Sequence, residues 1–272
     1  MSIVVNKVSR NICQILINRP SKKNALDLAT VRLLKDAFQE FEENLEYRVA
    51  ILGGIGGNFC AGYDLNDIVD EESAMPKIHQ IEQMLWPLGT RLSDKKIVIA
   101  AMDGYTAGFG YELALKCQLR VVERDARLGF MNRRFGMPIM NGGTVLLPRL
   151  IGLSGAMELI ATGKAQLAPE SLQVGLVHYI ADFGCALGRA TTLARCLEKF
   201  HQPSLIHDLK STYTFCESNQ NELLRLERER SLEYLKNCGP LLLASKFLKG
   251  ELCRHGSYDL GNIIGSEPEV TL

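Results

Sequence analysis

Short runs of apolar and β-branched residues alternate with segments of helical periodicity, and this alternation constrains the fold more than any other feature. Strand-like runs lie at 3–5, 12–17, 49–52, 97–101 and 119–122. An amphipathic helix, with Asp27 as a candidate N-cap, is indicated between the second and third runs by the spacing of Val31, Leu34, Phe38, Phe41 and Leu45. Such an alternation predicts an α/β protein.

The second half of the chain has a different pattern, because strand-like runs almost disappear from it. Apart from an apolar run at 177–180, segments of helical periodicity follow one another at 145–150, 155–162, 169–174, 187–200, 205–216, 222–236 and 240–248. We therefore predict a core domain at 1–200 and a helical C-terminal region at 201–272.

Between Asp64 and Asp94, a polar stretch indicates a loop and then a helix, which would serve either as a binding lid or as a solvated connection.

Composition argues against several classes of protein. The 272 residues are 46% hydrophobic and 23% charged, and 31 basic residues balance 31 acidic ones, so no net field favours nucleic acid or an anionic membrane as a partner. The eight cysteines form no CxxC pair and the five histidines lack metal-ligand spacing, which predicts buried thiols, a reducing compartment and no metal site. No signal-peptide pattern or membrane-length apolar run stands out, so we expect a cytoplasmic protein, or a mitochondrial one in its mature form.

A glycine-rich segment follows the third strand-like run. Residues 53–57 are mostly glycine, and the next segment, 58–65, has the sequence NFCAGYDL. Small residues let a ligand approach the main chain, and a turn here would leave the Tyr63 N–H group pointing outward. Tight turns alone would also account for these glycines.

A second glycine pair, Gly108 and Gly110, brackets Phe109 at the start of a predicted helix. Main-chain N–H groups at a helix start lack intrahelical partners and can hold an oxyanion, although close packing would equally require glycines there. Glu112 lies in the first turn of this helix, four residues before Lys116. An exposed Glu–Lys pair is one explanation for this acid, and a catalytic role is another.

Taken together and in order, these motifs resemble those of the enoyl-CoA hydratase/isomerase family, also called the crotonase family. The matching stretches are NRP at 18–20, KNAL at 23–26, FCAGYD at 59–64, IAAMDGY at 99–105, GFGYEL at 108–113, NGGT at 141–144, LPRLIG at 147–152, ATG at 161–163 and GLV at 175–177. They extend over nearly the whole chain. The resemblance implies an α/β fold of the crotonase type, which is a spiral of ββα units in two sheets. It also implies a C-terminal helical region that mediates homotrimers and dimers of trimers.

The same resemblance implies a catalytic site. The N–H groups of Tyr63 and Phe109 would form an oxyanion hole that stabilises the enolate of a thioester. Glu112 matches the first of two catalytic glutamates of the hydratases, and Asn132 lies where the second would be. Asn132 can hold a water molecule but cannot exchange a proton. Phe109 replaces a usual glycine, so its side chain is expected to narrow the acyl pocket.

For coenzyme A, the resemblance implies main-chain contacts to the adenine and basic residues at the phosphates. The candidate residues are Lys22, Lys23, Ala25, Ala61, Asp64 and Leu65, together with Phe247 and Lys249 from the C-terminal helix of a neighbouring subunit. Asp64 could instead be a turn former. Arg133 and Arg134 could reach a substrate carboxylate or phosphate, or form a solvated basic turn. Asn141 is interpreted as the N-cap of the helix that follows it.

The resemblance therefore implies an enzyme of acyl-CoA thioesters, with coenzyme A present only as part of the substrate and no permanent cofactor. Hydration of a 2-enoyl-CoA, with Glu112 as the sole catalytic acid/base, is the leading hypothesis. Isomerisation of an enoyl-CoA and decarboxylation of an acyl-CoA on the same site are alternatives. A catalytically weakened scaffold that binds acyl-CoA is a further alternative, because Asn132 replaces an acid.

Overall fold

The computed structural model describes residues 1–68, 76–81, 84, 91–93, 95–200, 202–216, 220–237, 245–246 and 248–249. All five strand-like runs of the first half are confirmed as strands. They are β1 (Ile3–Lys7), β2 (Ile12–Ile17), β3 (Val49–Gly54), β4 (Ile97–Met102) and β6 (Leu119–Glu123). The run at 177–180 corresponds to β9 (Tyr179–Ala181), and three shorter strands are β5 (Tyr105–Ala107), β7 (Arg127–Gly129) and β8 (Gln166–Leu167).

Six of these strands form the larger sheet, in the order β1-β2-β3-β4-β6-β9. The β1 strand is antiparallel to β2, and the other neighbours are parallel. Every residue of β4 is buried, and so are the first five of β3, as expected for parallel strands covered on both faces. The predicted α/β class is therefore confirmed.

The smaller sheet has the order β5-β7-β8 and is built from strands of two or three residues. The β5 strand begins three residues after β4 ends, and a helix begins two residues after β5 ends. The small sheet therefore positions the start of that helix, which contains Glu112.

Eight helices are labelled in the described ranges: α1 (Leu28–Glu43), α2 (Leu65–Ile68), α3 (Phe109–Leu115), α4 (Gly143–Thr162), α5 (Ala168–Gln173), α6 (Ala186–Leu197), α7 (Gln202–Cys216) and α8 (Gln220–Asn237). Asp27 caps α1 as predicted, since its carboxylate accepts a hydrogen bond from the Thr30 N–H group at 2.8 Å. The inclusion of Leu45 in the apolar face was wrong. The helix ends at Glu43, Asn44 is extended, and Leu45 is 98% exposed.

The α4 helix joins two segments that were predicted separately. Gly152 has non-helical angles (φ 78°, ψ 161°), which bend the helix between them, and Pro148 lies inside it. By length and composition alone α4 could cross a membrane, a property that core helices of soluble proteins share. Its N-terminus, at Gly143, lies beside the candidate site.

The long polar stretch between Asp64 and Asp94 contains α2 and a helical segment at 76–81, and its remaining parts lie mostly outside the described residues. Most of the helix predicted at 240–248 also lies outside them. The α8 helix packs against α4. The division of the chain at residue 200 stays a prediction.

Candidate active site

A cavity of about 420 Å³ opens between the 58–65 segment after β3 and the start of α3. Most of the predicted site residues line it. The lining includes Lys22, Lys23, Ala25, Ala61, Tyr63, Asp64, Leu65, Phe109, Glu112 and Asn132. Other lining residues are Tyr105, Met131, Arg134, Phe135, Met137, Pro138 and Leu248.

Main-chain hydrogen bonds hold the 58–65 segment between two other parts of the chain. The N–H group of Ala61 donates to the Lys23 carbonyl at 3.0 Å, and that of Leu26 donates to the Gly62 carbonyl at 2.8 Å. On the other side, the Ala107 N–H group donates to the Cys60 carbonyl at 2.9 Å. Three distant stretches of sequence are therefore brought together at one wall of the cavity.

Gly62 allows this wall to approach the start of α3 closely. It has φ of +101°, and a Cβ atom there would lie 3.0 Å from the Ala107 carbonyl oxygen and 3.3 Å from the Phe109 nitrogen. Both the conformation and the space therefore require glycine. Within the described part of the chain, the Phe109 N–H group makes no hydrogen bond, as expected for the first residue of a helix.

The side chains of the two predicted oxyanion-hole residues also meet. The rings of Tyr63 and Phe109 stack with centroids 4.8 Å apart and an interplanar angle of 21°. Phe109 is 2% exposed and lines the cavity, so its ring forms part of the cavity wall. A glycine at this position would leave that volume open, which agrees with the expected narrowing of the pocket.

Glu112 is buried in the first turn of α3 and is not an exposed partner of Lys116. Its Oε1 atom accepts hydrogen bonds from the N–H groups of Asn141 at 2.7 Å and Gly143 at 3.0 Å. Lys116 is buried as well, and none of the ion pairs in the described ranges joins it to Glu112. The explanation of Glu112 as one half of a surface ion pair is therefore wrong.

Burial raises the pKa of Glu112 from 4.5 to about 8, and the negative charge of Glu227 contributes to the rise. The hydrogen bonds from Gly143 and Asn141 and the charge of Lys116 act in the opposite direction. Burial likewise lowers the pKa of Lys116 to about 8. A carboxyl group with such a pKa can hold or release a proton near neutral pH, as acid–base catalysis requires.

Asn141 is not the N-cap of α4, because Gly142 occupies that position. Its side-chain amide donates to the Tyr63 hydroxyl oxygen at 2.8 Å and to Glu112 Oε2 at 3.4 Å. The helix start needs no side-chain cap here, since carboxylates from elsewhere accept its N–H groups. Asn141 instead links Glu112 to Tyr63.

Asn132 lies in a 3₁₀ turn, Met131–Phe135, and is 8% exposed. Its Nδ2 atom donates to the carbonyls of Met137 at 2.8 Å and Pro138 at 3.0 Å. Two carbonyl acceptors fix the orientation of the amide, since only the nitrogen can donate to them. Its Oδ1 atom is buried and has no hydrogen-bond partner in the described structure, and it lies near Gly108. It is an acceptor available to a ligand in the cavity.

The predicted coenzyme A residues near the N-terminus are held by Arg19. Its guanidinium pairs with Asp27 at 2.8 Å and with Asp64 at 2.9 Å, and it also donates to the Ala25 carbonyl. Burial raises the pKa of Asp64, but the hydrogen bonds from Arg19 and Asn66 outweigh it, so the pKa lies below its ordinary value. Asp64 both lines the cavity and accepts from the Asn66 N–H group, as a turn former does.

The basic residues predicted to bind the phosphates of coenzyme A occupy different positions. Lys22 and Lys23 are exposed at the cavity, and the Lys23 ammonium lies 4.3 Å from the centre of the Tyr105 ring. Lys249 is exposed and follows Leu248, a lining residue, whereas Phe247 lies outside the described residues. The roles of Phe247 and Lys249 stay predictions.

The two arginines after Asn132 differ. Arg133 is exposed and donates to the Ile160 carbonyl at 3.1 Å. Arg134 is half-buried and lines the cavity, and it forms no ion pair with any described residue. Arg134 is therefore the one of this pair that is placed to meet a ligand.

Sequence reasoning missed Glu227, which is 9% exposed on α8. Its carboxylate accepts hydrogen bonds from the N–H groups of Gly142 at 2.6 Å and Thr144 at 2.8 Å, and from the Thr144 hydroxyl. The segment around it is strongly charged and gives no signal that one of its acids is buried. Within the described ranges, no group of three His, Cys, Asp or Glu side chains is arranged to hold a metal ion.

Comparison with known proteins identifies similar sequences. A sequence model of the enoyl-CoA hydratase/isomerase family matches residues 7–229. The bovine (Bos taurus) enoyl-CoA hydratase domain-containing protein 2, mitochondrial, is 37% identical over 193 residues, which are 69% of this chain and 64% of the bovine protein. The human protein of the same name is 37% identical over 192 residues, 68% of this chain and 65% of its own length. The matched region is therefore a little under two thirds of these relatives.

Solved structures are similar over a larger share of the chain. The enoyl-CoA hydratase from Mycobacterium avium has a TM-score of 0.74 at 26% identity and covers 87% of this chain and 98% of its own. The enoyl-CoA hydratase from Bacillus anthracis has a TM-score of 0.73 at 26% identity, with coverages of 92% and 97%. These similarities confirm the predicted crotonase-type fold.

Proposed function

Because this chain belongs to the enoyl-CoA hydratase/isomerase family, we propose that it hydrates a 2-enoyl-CoA with Glu112 as its only catalytic acid/base. One observation carries the proposal: Glu112 lines the cavity while its carboxyl group is buried with a pKa of about 8. Coenzyme A enters as part of the substrate thioester.

The first step of the proposed reaction is polarisation of the thioester. Its carbonyl oxygen accepts hydrogen bonds from the Phe109 and Tyr63 N–H groups, which stabilise negative charge on that oxygen. The Phe109 N–H group, left without a partner among the described residues, supports this role. Phe109 begins α3 and Glu112 lies in its first turn, so oxygen binding and proton transfer take place at neighbouring points.

Addition of water follows in the same cavity. A water molecule donates one hydrogen bond to ionised Glu112 and the other to Asn132 Oδ1, the buried acceptor without a described partner. Glu112 takes a proton as the water oxygen bonds to the β-carbon, and the electron pair of the double bond moves to form the enolate. Protonated Glu112 then returns the proton to the α-carbon, so that one water molecule has been added.

Decarboxylation is a second candidate, and Arg134 is the observation that favours it. A guanidinium that lines the cavity without an acidic partner among the described residues can bind a carboxylate on the acyl chain. Loss of carbon dioxide from a carboxylate on the α-carbon leaves the electron pair of the broken C–C bond as a thioester enolate, which the oxyanion hole would stabilise.

Product analysis by mass spectrometry tests the proposal. The purified protein is incubated separately with a 2-enoyl-CoA, a 3-enoyl-CoA and an acyl-CoA that carries a carboxylate on its α-carbon. We expect a mass increase of one water with the first and no such change with the Glu112→Gln variant. Carbon dioxide release from the third would favour decarboxylation, and conversion of the second into the first would favour isomerisation. Binding of acyl-CoA without any product would favour the scaffold.

For assembly we propose a homotrimer or a dimer of trimers. Leu150, Leu153 and Met157 expose apolar surface on α4, and the side chains of the last two are more than half exposed. Light scattering at several concentrations would test this, and a monomer at all of them would contradict it.

For the compartment we propose the cytoplasm or, since the bovine relative is described as mitochondrial, the mitochondrion.

A further inference from the structure

Glu112 and Glu227 accept hydrogen bonds from the same turn, residues 141–144. Glu112 accepts from the N–H groups of residues 141 and 143, and Glu227 accepts from those of residues 142 and 144. The two carboxylates therefore alternate along four successive N–H groups at the start of α4. Such groups have no partner within a helix, so side chains from α3 and α8 supply the acceptors.

The packing around Gly142 shows how closely the three helices meet. Gly142 has φ of +101°, and a Cβ atom there would lie 3.1 Å from a Leu224 methyl carbon and 3.8 Å from the Cε atom of Lys116. Leu224 is one helical turn before Glu227 and is also buried. The face of α8 that carries both residues is therefore fixed against the turn.

We propose that Glu227 is a positioning residue for Glu112: it holds the 141–144 turn in the shape that binds the Glu112 carboxylate, and it places a negative charge beside it. This inference rests on the proposed role of Glu112. Glu227 does not line the cavity and does not touch the substrate in this scheme.

Two charged groups act on Glu112 from the elements packed around it. Glu227 acts on it from α8, and Lys116 acts on it from the end of its own helix. The other described neighbours are uncharged: the N–H groups at the start of α4, and Asn141, whose amide also donates to the Tyr63 hydroxyl. The Glu227 charge raises the pKa of Glu112, and the Lys116 charge lowers it. Removal of the Glu227 charge should therefore lower the pKa of Glu112, by about two units for charges roughly 6 Å apart at an effective dielectric constant near 20.

Titration of carboxyl carbons tests this without any turnover. The full chain is labelled with ¹³C at glutamate carboxyl groups, and the Glu112 signal is identified by its loss in Glu112→Gln. Glu227→Gln removes the charge, and Glu229→Gln is the matched control, because Glu229 is an exposed acid on the same helix that pairs with Arg225.

We expect the Glu112 signal to titrate about two pH units lower in Glu227→Gln than in the unmodified protein and in Glu229→Gln. The acid limb of kcat/KM for 2-enoyl-CoA hydration should move by the same amount, with KM nearly unchanged. An unchanged or higher midpoint in Glu227→Gln would overturn the inference, and so would an equal shift in the control.

A second variant covers the case in which Glu227→Gln does not fold. Burial raises the pKa of Glu227, and the hydrogen bond from the Thr144 hydroxyl opposes that rise. Thr144→Val removes this hydroxyl, so the pKa of Glu227 rises further, its negative charge is reduced, and the Glu112 midpoint should fall. No shift with this variant would overturn the inference. If the pKa of Glu112 shifts but the protein does not hydrate a 2-enoyl-CoA, the role of Glu227 stands and the proposed reaction is excluded. If the protein hydrates a 2-enoyl-CoA but the pKa of Glu112 does not shift, the proposed reaction stands and the role of Glu227 is excluded.

Discussion

The Oε1 atom of Glu112 lies 2.7 Å from the main-chain nitrogen of Asn141, and this hydrogen bond joins the first turn of α3 to the turn before α4. The two residues are far apart in sequence, so the bond depends on the tertiary fold. It keeps the carboxylate at the cavity although burial disfavours its ionised form. The acid is therefore held in place for proton transfer.

The raised pKa of Glu112 predicts how stability changes with pH. In the folded protein Glu112 keeps its proton up to about pH 8, whereas the unfolded chain loses it near 4.5. Between these values the folded state binds more protons, so the free energy of unfolding falls as pH rises, by up to about 1.4 kcal/mol per pH unit. Glu112→Gln should remove this slope.

Urea unfolding at several pH values provides the measurement. Burial raises the pKa of Asp103 to about 6, with a contribution from Glu123, and this produces a slope of the same sign at lower pH in both proteins. The comparison is therefore made between pH 6 and pH 8. If the free energy of unfolding changed with pH equally in the variant and the unmodified protein in that window, Glu112 would not hold its proton there.

Asn132 gives a second prediction, because its nitrogen donates to two carbonyl groups. Asn132→Asp replaces this donor with an oxygen facing Met137 and Pro138, so the introduced carboxyl must keep its proton to donate even one of the two bonds. We expect a loss of about 1–3 kcal/mol in unfolding free energy, and a larger loss as pH rises.

Asn44→Asp is the control, since Asn44 uses its side-chain oxygen to accept from the Glu46 N–H group and an aspartate keeps that bond. Denaturant curves at pH 5 and pH 8 should separate the two variants. Equal stability of both variants at pH 8 would mean that the orientation of the Asn132 amide is wrong.

Gly62 gives a third prediction, about the proposed oxyanion hole. Gly62→Ala would push a methyl group against the Phe109 nitrogen and the Ala107 carbonyl, and we expect kcat to fall at least tenfold. Gly57→Ala is the matched control, because Gly57 also has positive φ, +77°, but has no atom within 4 Å of the added methyl. Backbone strain at positive φ should cost each variant about 1 kcal/mol of stability, and Gly62→Ala should lose more because its methyl group also meets the Ala107 carbonyl and the Phe109 nitrogen. If the two variants kept the same kcat, the Phe109 N–H group would have no role in turnover.

Much of the fold could be predicted from sequence because local patterns determine it. The buried strands β3 and β4 are nearly continuous apolar runs, and Asp27 precedes an apolar spacing of 3.6 residues, so both signals are complete within a short window. The strands β5, β7 and β8 were not predicted. Each has two or three residues, which is too short for a periodic signal.

The site was predicted less completely, for a physical reason. Tyr63, Phe109 and Glu112 were identified by ordered motifs, and all three line one cavity. Glu227 was missed because α8 contains several acids in a charged segment, and only contact with α4 distinguishes this one. The pattern predicts Asn141 as a cap because an asparagine before a helix usually caps it. In the structure, carboxylates from α3 and α8 accept the N–H groups instead.

The most direct test of the account is the ratio of kcat/KM for hydration of crotonyl-CoA between the unmodified protein and Glu112→Gln. The glutamine oxygen can keep the bonds to Asn141 and Gly143, so the variant should fold and bind substrate while losing proton transfer. Glu158→Gln, which changes an exposed acid paired with Lys164, controls for loss of an acid elsewhere. We expect a loss of about 10²–10⁴-fold for Glu112→Gln and none for the control. Equal values of kcat/KM in all three proteins would contradict it.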